Sequence, residues 1–162
     1  MDIVQKNWPW TSTPEQRTST LYFVLHHTTG AQMQDTQEIW DEGIAAGDIG
    51  IAYHYVIKGD STVVRGRPRD SVGAHAHGVN YESIGIALEG NFQPGQSNYT
   101  TPTDAQLASL KELLTELYSI YGSAVQTIGH RQVASISGDP NDATACPGDT
   151  FYAMLPEIIK GV

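Results

Sequence analysis

Apolar runs and their spacing divide this chain into a short series of strands and helices. Leu21 to Leu25 is continuously apolar and β-favouring, as expected of a strand covered on both faces, and polarity returns abruptly at His26-His27-Thr28-Thr29-Gly30. A helix follows, with Asp35 and Glu38 as a capping pair and Ile39, Trp40 and Ile44 as its buried stripe. Ile51–Ile57 reads as a strand, and Lys58-Gly59-Asp60-Ser61 as a hairpin turn into a second strand, Thr62–Arg65. A polar, glycine-punctuated loop from Val72 to Tyr81 then leads to a central strand, Ser83–Leu88.

The strongest helical pattern comes next. Thr101 can cap it, Pro102 suits its first turn, Asp104 complements its positive end, and Gly122 can stop it. Leu107, Leu110, Leu114, Leu117 and Tyr121 share one face. A short strand, Val125–Ile128, delivers Gly129-His130-Arg131, and a last helix from about Asp149 buries Phe151, Leu155, Ile158 and Ile159. The order β-α-β-β-β-α-β-α predicts an α/β (mixed α+β) fold, a central mixed sheet flanked by helices. Residues 1–20, carrying Trp8, Pro9 and Trp10, read as an arm packed on one domain spanning 21–162.

Composition narrows the classes. At 162 residues with 40% hydrophobic and 17% charged side chains, the chain can bury a single core and does not resemble a disordered segment. A net charge of −9 disfavours contact with phosphate backbones, so no nucleic-acid partner is expected. No apolar run approaches the roughly 20 residues that span a bilayer, so no membrane insertion is expected. Met1-Asp2-Ile3-Val4-Gln5-Lys6 lacks the basic-then-apolar signature of a secretory peptide. A single cysteine, Cys146, excludes an internal disulfide.

That cysteine belongs to a set of candidate metal ligands at strand ends and in the loops after them: His26 or His27, His130, and Cys146. Two imidazoles and one thiolate form an open zinc set, leaving a tetrahedral position for water whose pKa falls to about 7. His26 and His27 are adjacent on a strand and point to opposite faces, so at most one joins the site, and spacing alone does not choose between them.

Val24-Leu25-His26-His27-Thr28, Ala52-Tyr53-His54-Tyr55-Val56-Ile57-Lys58, Val72-Gly73-Ala74-His75-Ala76-His77-Gly78-Val79-Asn80, Ser83-Ile84-Gly85-Ile86-Ala87-Leu88, Gly129-His130-Arg131 and Thr144-Ala145-Cys146-Pro147-Gly148 occur in that order. The ordered set resembles the type-two N-acetylmuramoyl-L-alanine amidases, which include phage lysozyme-type amidases and peptidoglycan recognition proteins. The resemblance runs from Leu21 to the last helix. It implies one zinc per chain, held by His26 (the first of the histidine pair), His130 and Cys146. It implies Tyr53 as the active-site tyrosine. Phage members often carry lysine two residues before the cysteine; here Thr144 stands there, as in recognition-protein relatives, and would give a neutral hydrogen bond in place of a charged one. His75, with His77 and Asn80, sits in the loop expected to contact substrate. His54 is expected to alternate away from Tyr53 and be structural, Tyr55 to be core packing, and Arg131 either to anchor the His130 loop or to bind a stem-peptide carboxylate.

The implied activity is zinc-dependent hydrolysis of the amide between N-acetylmuramic acid and the L-alanine of the peptidoglycan stem peptide, as in an endolysin or a bacterial autolysin. The alternatives are a non-catalytic peptidoglycan-binding module and a thiol hydrolase using Cys146 with His130. A monomer is expected. An endolysin would wait in the host cytoplasm before lysis, whereas a domain of a longer secreted chain would act outside the cell.

Overall fold

The structure is a computed structural model describing residues 1–162. Its strands are β1 (Ile3–Val4), β2 (Tyr22–His27), β3 (Tyr55–Ile57), β4 (Val63–Arg65), β5 (Ser83–Leu88) and β6 (Gln126–Gly129). They form one sheet in the order β1-β4-β3-β5-β2-β6. The β3–β4 hairpin is antiparallel, whereas β3, β5, β2 and β6 run parallel. The helices are α1 (Thr36–Ala45), α2 (Asp104–Tyr121), a short α3 (Val133–Ser137) and α4 (Asp149–Lys160). The mixed sheet flanked by helices agrees with the expected α/β architecture. No helix is long and apolar enough to cross a membrane.

Side-chain alternation sets the two layers that sandwich the sheet. Phe23 and Leu25 of β2, and Ile84, Ile86 and Leu88 of β5, join Leu110, Leu113, Leu114 and Leu117 of α2 and Phe151, Leu155 and Ile158 of α4 in the main core. The intervening residues face the other way: Val24 packs with Ala76, Val79, Ile128 and Val133, and Val56 with Ile39, Trp40 and Ile51. On this second side β5 presents only Ser83, Gly85 and Ala87, which leaves room for imidazole rings.

Several boundaries differ from the expected ones for physical reasons. The α2 cap is Thr103: its side chain accepts the Gln106 N–H, and Gln106 returns a bond to the Thr103 N–H, a reciprocal box that neither Thr101 nor Pro102 can supply. Gln106 is itself buried, its amide donating to Ile57 O and Glu89 O. Asp35 does cap α1, accepting from the Gln37 N–H at 3.0 Å, but Glu38 completes no box and Ile44 is exposed. The arm does more than lie on the core. Ile3 and Val4 pair in parallel with Val63 and Val64, and Trp8 and Trp10 grip Trp40 by stacking and edge contact.

The strand expected over Ile51–Ile57 begins its regular pairing only at Tyr55. Alternation therefore does not extend back through Tyr53. Tyr55 lies in the α2-side core, while both Tyr53 and His54 fall on the other side, 5.1 Å from the His26 ring and 5.5 Å from the His75 ring respectively.

Just past β5, the Glu89 side chain is fully buried, with Lys58 Nζ 3.4 Å from Oε1 and no partner on Oε2. Burial pushes this carboxyl up to about 7, against the opposing pull of Lys58. A carboxyl whose pKa is raised by folding adds stability below its ordinary value and loses it as pH rises through the folded value. The stability advantage of Glu89→Gln over the parent is accordingly expected to grow between about pH 5 and pH 8. Thermal melts of both proteins across that range check it, and a constant difference would contradict it.

Candidate metal centre

Because β3, β5, β2 and β6 are parallel, their carboxyl ends open on one edge of the sheet, where ligand sites of such sheets form. Three separated segments meet there. β2 ends in His26 and His27, β6 runs directly into His130, and the loop before α4 carries Cys146. The donor atoms of His26, His130 and Cys146 all lie within 4.8 Å of one another. His26 Nδ1 faces Cys146 Sγ at 3.6 Å, and the His26 and His130 ring centroids are 4.5 Å apart.

The strand alternation that left two candidates open is resolved by contacts. His27 turns toward the α2–α4 side, where its Nδ1 accepts the Phe92 N–H at 3.1 Å and its ring lies beside Phe92. That nitrogen is committed to the backbone, whereas His26 Nδ1 points at the thiol.

The surroundings disfavour charge on the bare ligands. Burial, then neighbouring histidines, drives the His26 pKa far below the usual imidazole value, and burial lowers that of His130. Burial pushes the Cys146 thiol up to about 12, so in the absence of a cation it stays protonated and a poor nucleophile. A divalent cation reverses that cost by converting the thiol to thiolate. Two neutral imidazoles and one latent thiolate therefore fit zinc.

The Cys146 loop is braced. The Arg131 N–H donates to Cys146 O at 2.9 Å, and the Arg131 guanidinium bonds Ala145 O and Asp149 while lying over Tyr152. Arg131 is thus a loop anchor, the first of its two expected roles. Around the donors lies an open cleft of about 580 Å³, lined also by Tyr53 and Thr144. Thr144 Oγ1 accepts the Cys146 N–H at 3.1 Å, leaving its own hydroxyl hydrogen free. Burial raises the Tyr53 pKa, so its hydroxyl remains a proton donor at neutral pH.

The three residues expected to contact substrate are placed differently. His77 is exposed and outside the cleft, its Nδ1 2.8 Å from Asp142 Oδ1, pinning its loop to the turn before Cys146. Asn80 is also outside the cleft; its side-chain oxygen accepts the N–H groups of His75 and Ala76, both at 2.9 Å, and shapes that loop. His75 reaches the cleft but is buried behind His26, with Nδ1 3.0 Å from His26 Nε2. His54 is structural as expected: its Nδ1 accepts the Gly85 N–H at 2.9 Å and its Nε2 lies 2.8 Å from Ser71 O. The cleft walls not anticipated are Thr28 and Thr29 on one side and Asn91, Gln93 and Gln96 on another. Their signal was the polar stretch following each buried parallel strand.

Comparison with known proteins gives a consistent set of relatives. A family model described as N-acetylmuramoyl-L-alanine amidase matches residues 16–149. Peptidoglycan-recognition protein SC2 of Drosophila melanogaster is 35% identical over 144 residues, covering 81% of this chain and 70% of its own. The endolysin of Escherichia phage T7 is 36% identical over 122 residues, covering 74% and 80%. Among solved structures, N-acetylmuramoyl-L-alanine amidase LysC from Clostridium intestinale URNW superposes with a TM-score of 0.83 at 33% identity, covering 98% of this chain and 95% of that one.

Proposed function

This chain belongs to the N-acetylmuramoyl-L-alanine amidase family, and on that footing we propose that it is a peptidoglycan amidase that uses zinc to hydrolyse the bond between N-acetylmuramic acid and the L-alanine of the stem peptide. The observation that carries the reading is the convergence of His26, His130 and Cys146 at the floor of an open polar cleft. Zinc bound there would polarise the scissile carbonyl and acidify a water molecule.

The chain's own groups supply the rest. Attack on an amide develops negative charge on the carbonyl oxygen, which donors placed beforehand stabilise. Tyr53, protonated at neutral pH and beside His26, donates to that oxygen or passes a proton toward the departing amine. Thr144, its oxygen tied to the Cys146 N–H, donates through its free hydrogen. Thr28 and Gln96 offer uncharged hydrogen-bonding groups to the sugar and the stem peptide, while Asn91 and Gln93, bonded to Asn98 and Asp149, shape the wall between them.

A purely binding role is supported by the recognition-protein relatives, yet a binding surface does not require a complete donor set with Tyr53 beside it. A thiol hydrolase is opposed by the half-buried Cys146, whose surroundings push its thiol pKa up and so disfavour the thiolate. Mass spectrometry of purified sacculi after digestion tests all three. Release of intact stem peptides from unaltered glycan, lost with a strong chelator and restored by zinc, is the expected result. Binding without release would leave a recognition module. Cleavage that survives the chelator and is stopped by iodoacetamide would identify the thiol.

A further inference from the structure

The hydrogen-bonding roles of the groups behind His26 can be assigned in sequence, starting from Ser83. Ser83 Oγ lies 2.7 Å from Val79 O, which can only accept, so the single hydroxyl hydrogen is directed there. The same Oγ is 3.3 Å from His75 Nε2 and, its hydrogen spent, must accept from it. Buried imidazoles without an anionic partner are neutral, so His75 carries its one ring hydrogen on Nε2 and presents a bare lone pair at Nδ1. That lone pair meets His26 Nε2 at 3.0 Å. His26 must therefore carry its hydrogen on Nε2, leaving Nδ1 bare toward Cys146 Sγ.

The His75 ring is held in a slot made for it. A Cβ at Gly73 or at Gly85 would come within 2.4 Å of the ring. The loop that delivers it is clamped by the Asn80 side chain on the His75 and Ala76 N–H groups. The ring is thereby held with Nδ1 turned toward His26.

We propose that His75 is a positioning residue: by accepting the His26 Nε2–H, it fixes the tautomer and ring orientation that make Nδ1 the ligating atom of His26. The metal step rests on the amidase reading above; the tautomer assignment does not. Partners of this kind behind a ligating histidine typically change metal affinity 10- to 100-fold.

Long-range proton–nitrogen NMR on the ¹⁵N-labelled, metal-free protein reads the tautomers directly. Both His26 and His75 are expected to be protonated at Nε2, and a His26 ring protonated at Nδ1 overturns the inference. Zinc affinity, measured by competition with a chromophoric chelator, is expected to fall about 10- to 100-fold in His75→Leu. In His75→Asn, whose side-chain oxygen can replace the Nδ1 acceptor, it is expected to stay within about threefold of the parent. Equal weakening in the two variants, or parental affinity in His75→Leu, would refute a positioning role. Should His75→Leu fail to fold, Ser83→Ala serves: freed from its acceptor, His75 is expected to populate both tautomers and zinc binding to weaken, and no change in either overturns the proposal. A parent protein that binds no zinc while showing the expected tautomers would instead refute the metal reading of the preceding section.

Discussion

His26→Ala is expected to remove the metal and the hydrolysis of peptidoglycan together, whereas His27→Ala keeps both. His26 directs Nδ1 at the Cys146 thiol within the three-donor cluster. Loss of a catalytic metal removes several kcal/mol of charge stabilisation in the transition state, so a fall of about a thousandfold or more in turnover is expected. His27, one residue on, makes a different kind of contribution. Removing its ring orphans the buried Phe92 N–H, at a cost of about 1–3 kcal/mol in stability, without touching the donor cluster. Metal analysis by mass spectrometry, paired with a turbidity assay on sacculi, reads both effects. A His27→Ala protein that lost zinc while His26→Ala retained it would reverse the strand-face assignment.

Tyr53→Phe separates metal binding from chemistry. The phenyl ring preserves the packing of Tyr53 beside Ile51 and Trp40, so zinc content should be unchanged. Loss of the hydroxyl removes a positioned donor, and turnover should fall by about 100-fold or more, within the range for general acid–base groups. The effect should appear in kcat with little change in KM, because the hydroxyl acts on charge that develops during the reaction. Unimpaired turnover would reduce Tyr53 to a wall of the cleft.

Legibility from sequence followed local physics. Ser83–Leu88 was readable to the residue and the start of α4 approximately, because the β-favouring Ile84–Leu88 segment ends sharply at Glu89 and Pro147-Gly148 interrupts the chain before the last helix. The His26–His27 pair and His130 stood out as residues at or just past strand ends, whereas the choice of His26 within the pair came from the family resemblance and Cys146 lies in a loop before α4. Alternation failed at Tyr53 and His54, since it holds only while a strand stays paired and β3 pairs from Tyr55 onward. It also failed to show that β5 is two-faced in size: Ser83, Gly85 and Ala87 line the side that holds the imidazoles, a fact visible in the letters but meaningful only once His75 and His54 are in place. His77 and Asn80 stand outside the cleft because their loop side chains follow turn geometry, which no periodicity reports. The two-residue β1 is too short to produce any pattern.

The clasp formed by Trp8, Trp10 and Trp40 gathers every indole of the chain in one place, with centroids 4.9 and 4.8 Å from Trp40. None of them lines the cleft. Intrinsic ultraviolet emission is therefore a gauge of whether the first segment is docked on α1. Rings stacked this closely also couple their transitions, so near-ultraviolet circular dichroism should carry an exciton signal that vanishes when that segment peels away, even while the sheet remains intact.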